Sequence, residues 1–166
     1  MRVLGIDCGG EFTGYGVVEQ TEASLVCITY GAVALSRAQP LAERLACLFG
    51  ELRAIVARHQ PDAVAIEDVF YAVNAKSALK LGQVRGVAML VAALEGCPVA
   101  EYSPLSIKSA VVGYGRAEKQ QVQQMVARLL ALATLPAPFD AADALAIAIC
   151  HLHTHATLER HGSSRS

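Results

Sequence analysis

Two kinds of apolar patterning alternate along the chain. Short runs rich in β-branched and aliphatic residues occupy Met1 to Asp7, Tyr15 to Glu19 and Leu25 to Leu35, separated by Gly9-Gly10 and by Thr21-Glu22-Ala23-Ser24. Such runs between turn formers predict three strands joined as an antiparallel meander. From Leu41 to Arg58 the period changes. Leu41, Leu45, Leu48, Leu52, Ile55 and Val56 recur at helical spacing, which predicts an amphipathic helix lying on a sheet. Ala63-Val64-Ala65-Ile66 is apolar without alternation, as in a strand covered on both faces. After a break at Phe70 to Asn74, Ala75 to Leu94 reads as a long helix rich in Ala and Leu, with Gly82 and Gly86 inside it. Glycine within a helix costs about 1 kcal/mol relative to alanine, so the pair implies close approach by another helix or backbone. Pro98 to Glu101 predicts a short strand and Pro104 to Val112 a short helix. Gly113-Tyr114-Gly115 predicts a flexible loop carrying Arg116 and Lys119, followed by a helix over Val122 to Leu132. A last helix is expected from Asp140 to about His151, and the polar stretch from Thr157 to Ser166 is expected to be disordered. A meander followed by alternating helix and strand predicts one α/β domain over residues 1–156, with a mixed five-stranded sheet flanked by helices and a tail at 157–166.

Four carboxylates stand where these elements end or begin. Asp7 closes the run Val3-Leu4-Gly5-Ile6 before Gly9-Gly10, and Glu67 closes Ala63-Val64-Ala65-Ile66. Asp140 and Asp143 follow the breakers Pro136-Ala137-Pro138 and precede Ala144-Leu145-Ala146-Ile147-Ala148-Ile149. Asp140 is expected to cap this helix, and Asp143, three residues on, shares its face. Singly, each acid could be a turn former or a cap. Together, acids delivered into apolar surroundings are costly unless a cation neutralises them. Four carboxylates without a ligating cysteine favour hard ions, Mg²⁺ or Mn²⁺, with two ions per site able to drive an in-line displacement at phosphorus. Lys119 is a candidate to offset charge in that transition state.

Composition changes the picture at three points. With 166 residues and 54% hydrophobic content the chain can bury a full core. No apolar run is expected to be long enough to cross a bilayer and no signal-peptide pattern precedes the first strand, so a cytoplasmic protein without membrane contact is expected. Five cysteines without Cys-x-x-Cys spacing indicate neither a disulfide framework nor a zinc ribbon. The formal net charge is −1, yet it is unevenly spread. Met1 to Val69 holds five basic and nine acidic residues, net −4, whereas Phe70 to Arg128 holds seven basic (Lys76, Lys80, Arg85, Lys108, Arg116, Lys119, Arg128) and three acidic, net +4. A neutral protein can therefore still offer a basic face to a phosphate backbone, although solvated helix positions would account for the same charges.

The segments Gly5-Ile6-Asp7-x-Gly9, Thr13-Gly14-Tyr15-Gly16, Ala65-Ile66-Glu67, Asn74-Ala75-x-Ser77-Ala78-Leu79-Lys80-Leu81-Gly82-Gln83, Val111-Val112-Gly113, Ala117-Glu118-Lys119 and Asp140-Ala141-Ala142-Asp143-Ala144-Leu145 resemble the RuvC family of bacterial Holliday-junction resolvases. The resemblance covers about residues 1 to 153. It implies a ribonuclease H-like fold, a homodimer, a divalent metal and symmetrical nicking of four-way DNA in recombination and repair, alongside a branch-migration motor complex. Carried over by position, the family's metal-binding acids fall on Asp7, Glu67, Asp140 and Asp143. Its lysines for catalysis and junction contact fall on Lys108 and Lys119, and its aromatic at the crossover on Phe70. The helix Ala75 to Leu94 matches its dimer-forming helix. With the basic residues of the middle segment and Asn74 added, the expected DNA contacts are Phe70, Asn74, Lys76, Lys80, Arg85, Lys108 and Arg116. Two positions depart from the family pattern: Cys8 stands where proline is usual, and Val73 where a lysine is common, which removes one phosphate contact.

His151, His153 and His155 sit near the end of the last predicted helix. Cationic histidines at a helix C-terminus are favourable without any metal, and no third ligand accompanies the pair His151 and His155. Two other function classes share parts of the pattern: a nuclease of the same fold acting on RNA, and a non-catalytic junction-binding module. The Asn74 to Gln83 helix followed by Arg85-Gly86 speaks against the first, and the full set of four acids against the second.

Overall fold

A computed structural model describes residues 1–68 and 75–162 of the chain. Its strands are β1 (Arg2–Asp7), β2 (Phe12–Gln20), β3 (Leu25–Ala34), β4 (Ala63–Glu67) and β5 (Val99–Tyr102). The helices are α1 (Leu41–His59), α2 (Ala75–Leu94), α3 (Pro104–Val112), α4 (Lys119–Leu129) and α5 (Phe139–Gly162). The strands form one mixed sheet in the order β3-β2-β1-β4-β5. β1 pairs antiparallel with β2 and parallel with β4, and β4 pairs parallel with β5. The α/β architecture expected from the apolar patterning is therefore the one found.

Alternation along the central strands sends side chains into two cores. Val3, Val18 and Ala65 join Leu145, Ile149 and Leu152 of α5 together with Ile107 of α3 and Val126 of α4. Leu4, Ile6, Val17, Val64 and Ile66 face α1 and α2, where they meet Leu48, Leu52, Val56, Val84 and Val91. This double covering explains why β1 and β4 read as nearly unbroken apolar runs.

Three boundaries differ from the sequence expectation. Lys119 is the first residue of α4, not part of a loop, because Glu118 and Gln121 form a reciprocal capping box that starts the helix earlier. Asp140 lies inside the first turn of α5 and does not cap it; the Pro138 carbonyl accepts from the Ala141 and Ala142 amides instead. α5 also continues to Gly162, well past His151 and into the stretch expected as a disordered tail. No Gly or Pro interrupts residues 139–161, so nothing in the local chemistry stops the helix earlier.

α2 corrects a further expectation. It is long and apolar enough, by length and composition alone, to cross a bilayer, although Lys76, Lys80 and Arg85 interrupt its apolar run. Val84, Ala88, Val91 and Ala92 are buried against the rest of the domain. Leu79, Leu90 and Leu94 are 69%, 51% and 64% exposed. A side chain added at Gly82 or Gly86 would meet nothing within 4 Å, so among the described residues no element makes the close approach that the glycine pair implies.

Candidate active site

The ends of β1 and β4 set the site. The parallel register pairs Ile6 with Ile66, so Asp7 and Glu67 emerge from adjacent strands, about 5 Å apart in the hydrogen-bonding direction. They share the parity of Gly5 and Ala65 and therefore face α5. Ligand sites in such sheets lie outside the carboxyl ends of the parallel strands.

The third and fourth acids arrive because α5 lies directly against the sheet. A Cβ at Gly5 would stand 2.0 Å from the Ala144 carbonyl oxygen, and one at Gly14 would stand 2.0 Å from that of Asp140. Gly14 pairs with Asp7 across the β1-β2 ladder. Only residues without a side chain allow this approach, and it brings Asp140 and Asp143 to the β1 terminus. Gly5, Gly14 and Gly16 fall in separate sequence motifs, and their shared purpose emerges only in the folded sheet, where Gly5 and Gly16 are direct cross-strand partners.

Asp7, Glu67, Asp143, Lys108 and Lys119 line one pocket, floored by Ile107 and Ile147. Burial, reinforced by Asp143, Glu67 and Asp140 in that order, pushes the Asp7 carboxyl up from 3.8 to about 7. Burial and then Asp143 also raise Glu67, opposed by Lys119 and Lys108. Lys119 Nζ donates to Asp143 Oδ2 at 3.0 Å, and that hydrogen bond is the largest reason its ammonium is held above the ordinary lysine value. The chemistry of the donor set fits a hard divalent cation: Asp7, Glu67 and Asp143 line the pocket, Asp140 is near enough to act on Asp7, and the Asp7 carboxyl is driven toward neutrality first by burial and then by these acids. Among the described residues, no three of these groups already stand in a coordination shell, and Lys119 places its ammonium on Asp143.

The expected DNA contacts are placed unevenly. Lys108 lines the acid pocket. Lys76 and Lys80 are exposed on the first turns of α2, and Arg116 is exposed between α3 and α4. Phe70 and Asn74 lie outside the described residues, as does Val73. Arg85 is engaged elsewhere: its guanidinium pairs with Glu101 and, at 3.5 Å, with Asp68, and its side chain is 20% exposed. It ties α2 to the ends of β4 and β5. Cys8 is buried, and burial with the adjoining Asp7 charge pushes its thiol up to about 12. Two of the three histidines are engaged internally. His151 Nδ1 is 2.9 Å from the Tyr102 hydroxyl and His153 Nδ1 donates to the Ala110 carbonyl at 3.1 Å.

Comparison with known proteins places these features in context. The family model described as crossover junction endodeoxyribonuclease RuvC matches residues 3–151. A protein of that name from Koribacter versatilis is 66% identical over 161 residues, covering 96% of this chain and 97% of its own length. One from Acidobacterium capsulatum is 56% identical with the same coverage. Among solved structures, Thermus thermophilus RuvC in complex with Holliday junction substrate superposes with a TM-score of 0.90 at 34% identity, covering 95% of this chain and 96% of the other. The yeast mitochondrial resolvase Ydc2, at 18% identity and a TM-score of 0.69, shares the fold.

Proposed function

Since this chain belongs to the RuvC family of crossover junction endodeoxyribonucleases, we propose that it resolves four-way DNA by paired, symmetric, metal-dependent nicks at the Asp7 pocket. The observation that carries this reading is the convergence of acids from β1, β4 and α5 in one buried pocket, where burial and then the neighbouring acids push Asp7 up to about 7. Asp7, Glu67, Asp140 and Asp143 would hold Mg²⁺ or Mn²⁺, two ions per site. When bound, such ions generate a hydroxide nucleophile and stabilise the leaving oxygen of the scissile phosphodiester. The protein's own groups do the rest. Lys119, kept as an ammonium by Asp143, offsets negative charge gathering on the phosphate. Lys108 draws the backbone into the pocket, Lys76, Lys80 and Arg116 hold the flanking strands, and Phe70 with Asn74 meets the crossover. Arg85 serves by fixing the elements around them.

Incubation with synthetic four-way, Y-shaped and linear duplexes, each in EDTA, Mg²⁺ or Mn²⁺, tests the reading. Paired nicks restricted to the four-way substrate and dependent on the cation are expected. Cutting of linear duplex at a comparable rate, or cutting in EDTA, would refute it.

Paired nicks need two sites, and the apolar face of α2 supports a homodimer. Leu79 and Leu90 are exposed there, and Gly82 and Gly86 leave room for a second backbone. Leu90→Asp is expected to shift the protein to monomer in light scattering and to abolish coordinated double nicking. A variant that stays dimeric would place the interface elsewhere. The same enzyme is read as cytoplasmic and as working with a branch-migration motor.

A further inference from the structure

A second cationic feature lies beside the acid pocket, built partly from the half of the chain whose net charge is negative. Arg37, from the segment after β3, Arg44, on the first turn of α1, and Lys80, on α2, line one groove with Gly10 and Glu11. Arg44 donates through Nη2 to the Gly10 carbonyl, while its Nε is buried without a partner. Arg37 pairs with Glu11. Neither Arg44 nor Lys80 has a carboxylate partner among the described residues. The groove adjoins the nuclease pocket through one turn. A Cβ on Gly9 would lie 3.7 Å from Asp140 Oδ1, and the next residue, Gly10, carries the carbonyl that orients Arg44.

Resting on the nuclease reading, we propose that this groove is a second phosphate-binding surface, in which Arg44, Lys80 and Arg37 hold the DNA backbone beside the cut. Arg44 is the fixed element: its backbone anchor presets the guanidinium, and a planar fork suits a phosphate. Lys80 adds a point charge. Arg37 is in reserve, because a phosphate must compete with Glu11 for it. Glu11 therefore opposes DNA binding, and its removal acts in the reverse direction from loss of the cations.

Junction binding measured in Ca²⁺ or EDTA over a series of salt concentrations tests this. Lys80→Ala, which removes no hydrogen bond among the described residues, and Arg44→Ala are each expected to weaken binding several-fold and to lower the salt slope by about one. Glu11→Gln is expected to tighten binding. Replacing single phosphates near the cut by neutral methylphosphonates should weaken wild type at a position where Arg44→Ala is indifferent, the non-additivity of a direct contact. Wild-type affinity and slope in both cation variants, weaker binding by Glu11→Gln, or the same phosphate sensitivity in wild type and Arg44→Ala would each overturn the proposal. Arg44→Lys, which keeps the charge, separates a folding defect from a lost contact through its melting temperature. If wild type itself fails to nick four-way DNA, the nuclease reading falls. If wild type nicks normally and the variants bind normally, only this inference falls.

Discussion

Asp7→Asn is expected to abolish nicking and yet, in buffer free of divalent ions at pH 8, to melt higher than wild type. If Asp7 is a ligand of the proposed ions, its loss would forfeit several kcal/mol of water activation and leaving-group stabilisation, at least about 10³ in rate. Stability moves the other way because the metal-free site works against its own charge. The folded carboxyl sits near 7 against 3.8 for the free group. Between these values the folded chain binds more protons than the unfolded one, so stability falls as pH rises through that window. About three pKa units set a ceiling near 4 kcal/mol on the effect. Asparagine carries none of it, and at about 2–4 °C per kcal/mol for a chain of this size the variant should gain several degrees at pH 8. The gap should narrow on acidification and close near pH 4. Adding Mg²⁺ or Mn²⁺ should raise the melting temperature of wild type more than that of the variant, since a ligand stabilises only the state that binds it. Calorimetry in EDTA and in each cation reads all three. A variant that melts below wild type at pH 8 in EDTA would mean that Asp7 is held as a carboxylate by favourable contacts, and the electrostatic account of the site would be wrong.

Gly14→Ala is the second large effect. Its Cβ would lie 2.0 Å from the Asp140 carbonyl oxygen and 3.0 Å from the Ala141 amide nitrogen. Both are backbone atoms, so no side-chain rotation relieves the clash, and the first turn of α5 must lift from the sheet. Overpacking of this kind costs about 1–3 kcal/mol. Displacing Asp140 by even 1 Å should cost roughly 10²-fold in cleavage. Gly10→Ala is the control. A Cβ there meets nothing within 4 Å, and stability close to wild type is expected. Melting curves and nicking rates across a divalent titration measure both. Wild-type cleavage by Gly14→Ala would show that the approach of α5 does not set the geometry of the acids.

Much of the architecture was legible because local chemistry writes it locally. Residues 75–94 form the helix their composition predicts, and Ala63 to Glu67 forms the buried strand that an unbroken apolar run predicts. Boundaries failed where a side chain rather than a period decided them. The Glu118 and Gln121 capping box starts α4 at Lys119, and the Pro138 carbonyl, not the Asp140 side chain, receives the first amides of α5.

Charge was less legible. Counting cations by segment placed all the basic candidates after Phe70, yet the groove beside Gly10 draws Arg37 and Arg44 from the acidic third. The same count offered Arg85 as a DNA contact, and it did not foresee the pairing of that guanidinium with Asp68 and Glu101. Net charge per segment says nothing about which ions meet, because salt bridges join residues far apart in sequence.

By itself, the order of residues determined the kinds of element, their sequence along the chain, and the delivery of an acid to the end of β1, the end of β4 and the start of α5. Hydrophobic period and turn chemistry act over a few residues and are readable there. Tertiary structure alone decided that these acids meet. The Ile6 and Ile66 register sets Asp7 beside Glu67, and the absence of side chains at Gly5 and Gly14 lets α5 settle against them. Register and interlayer distance are settled by contacts between remote segments, whose energies no local pattern contains.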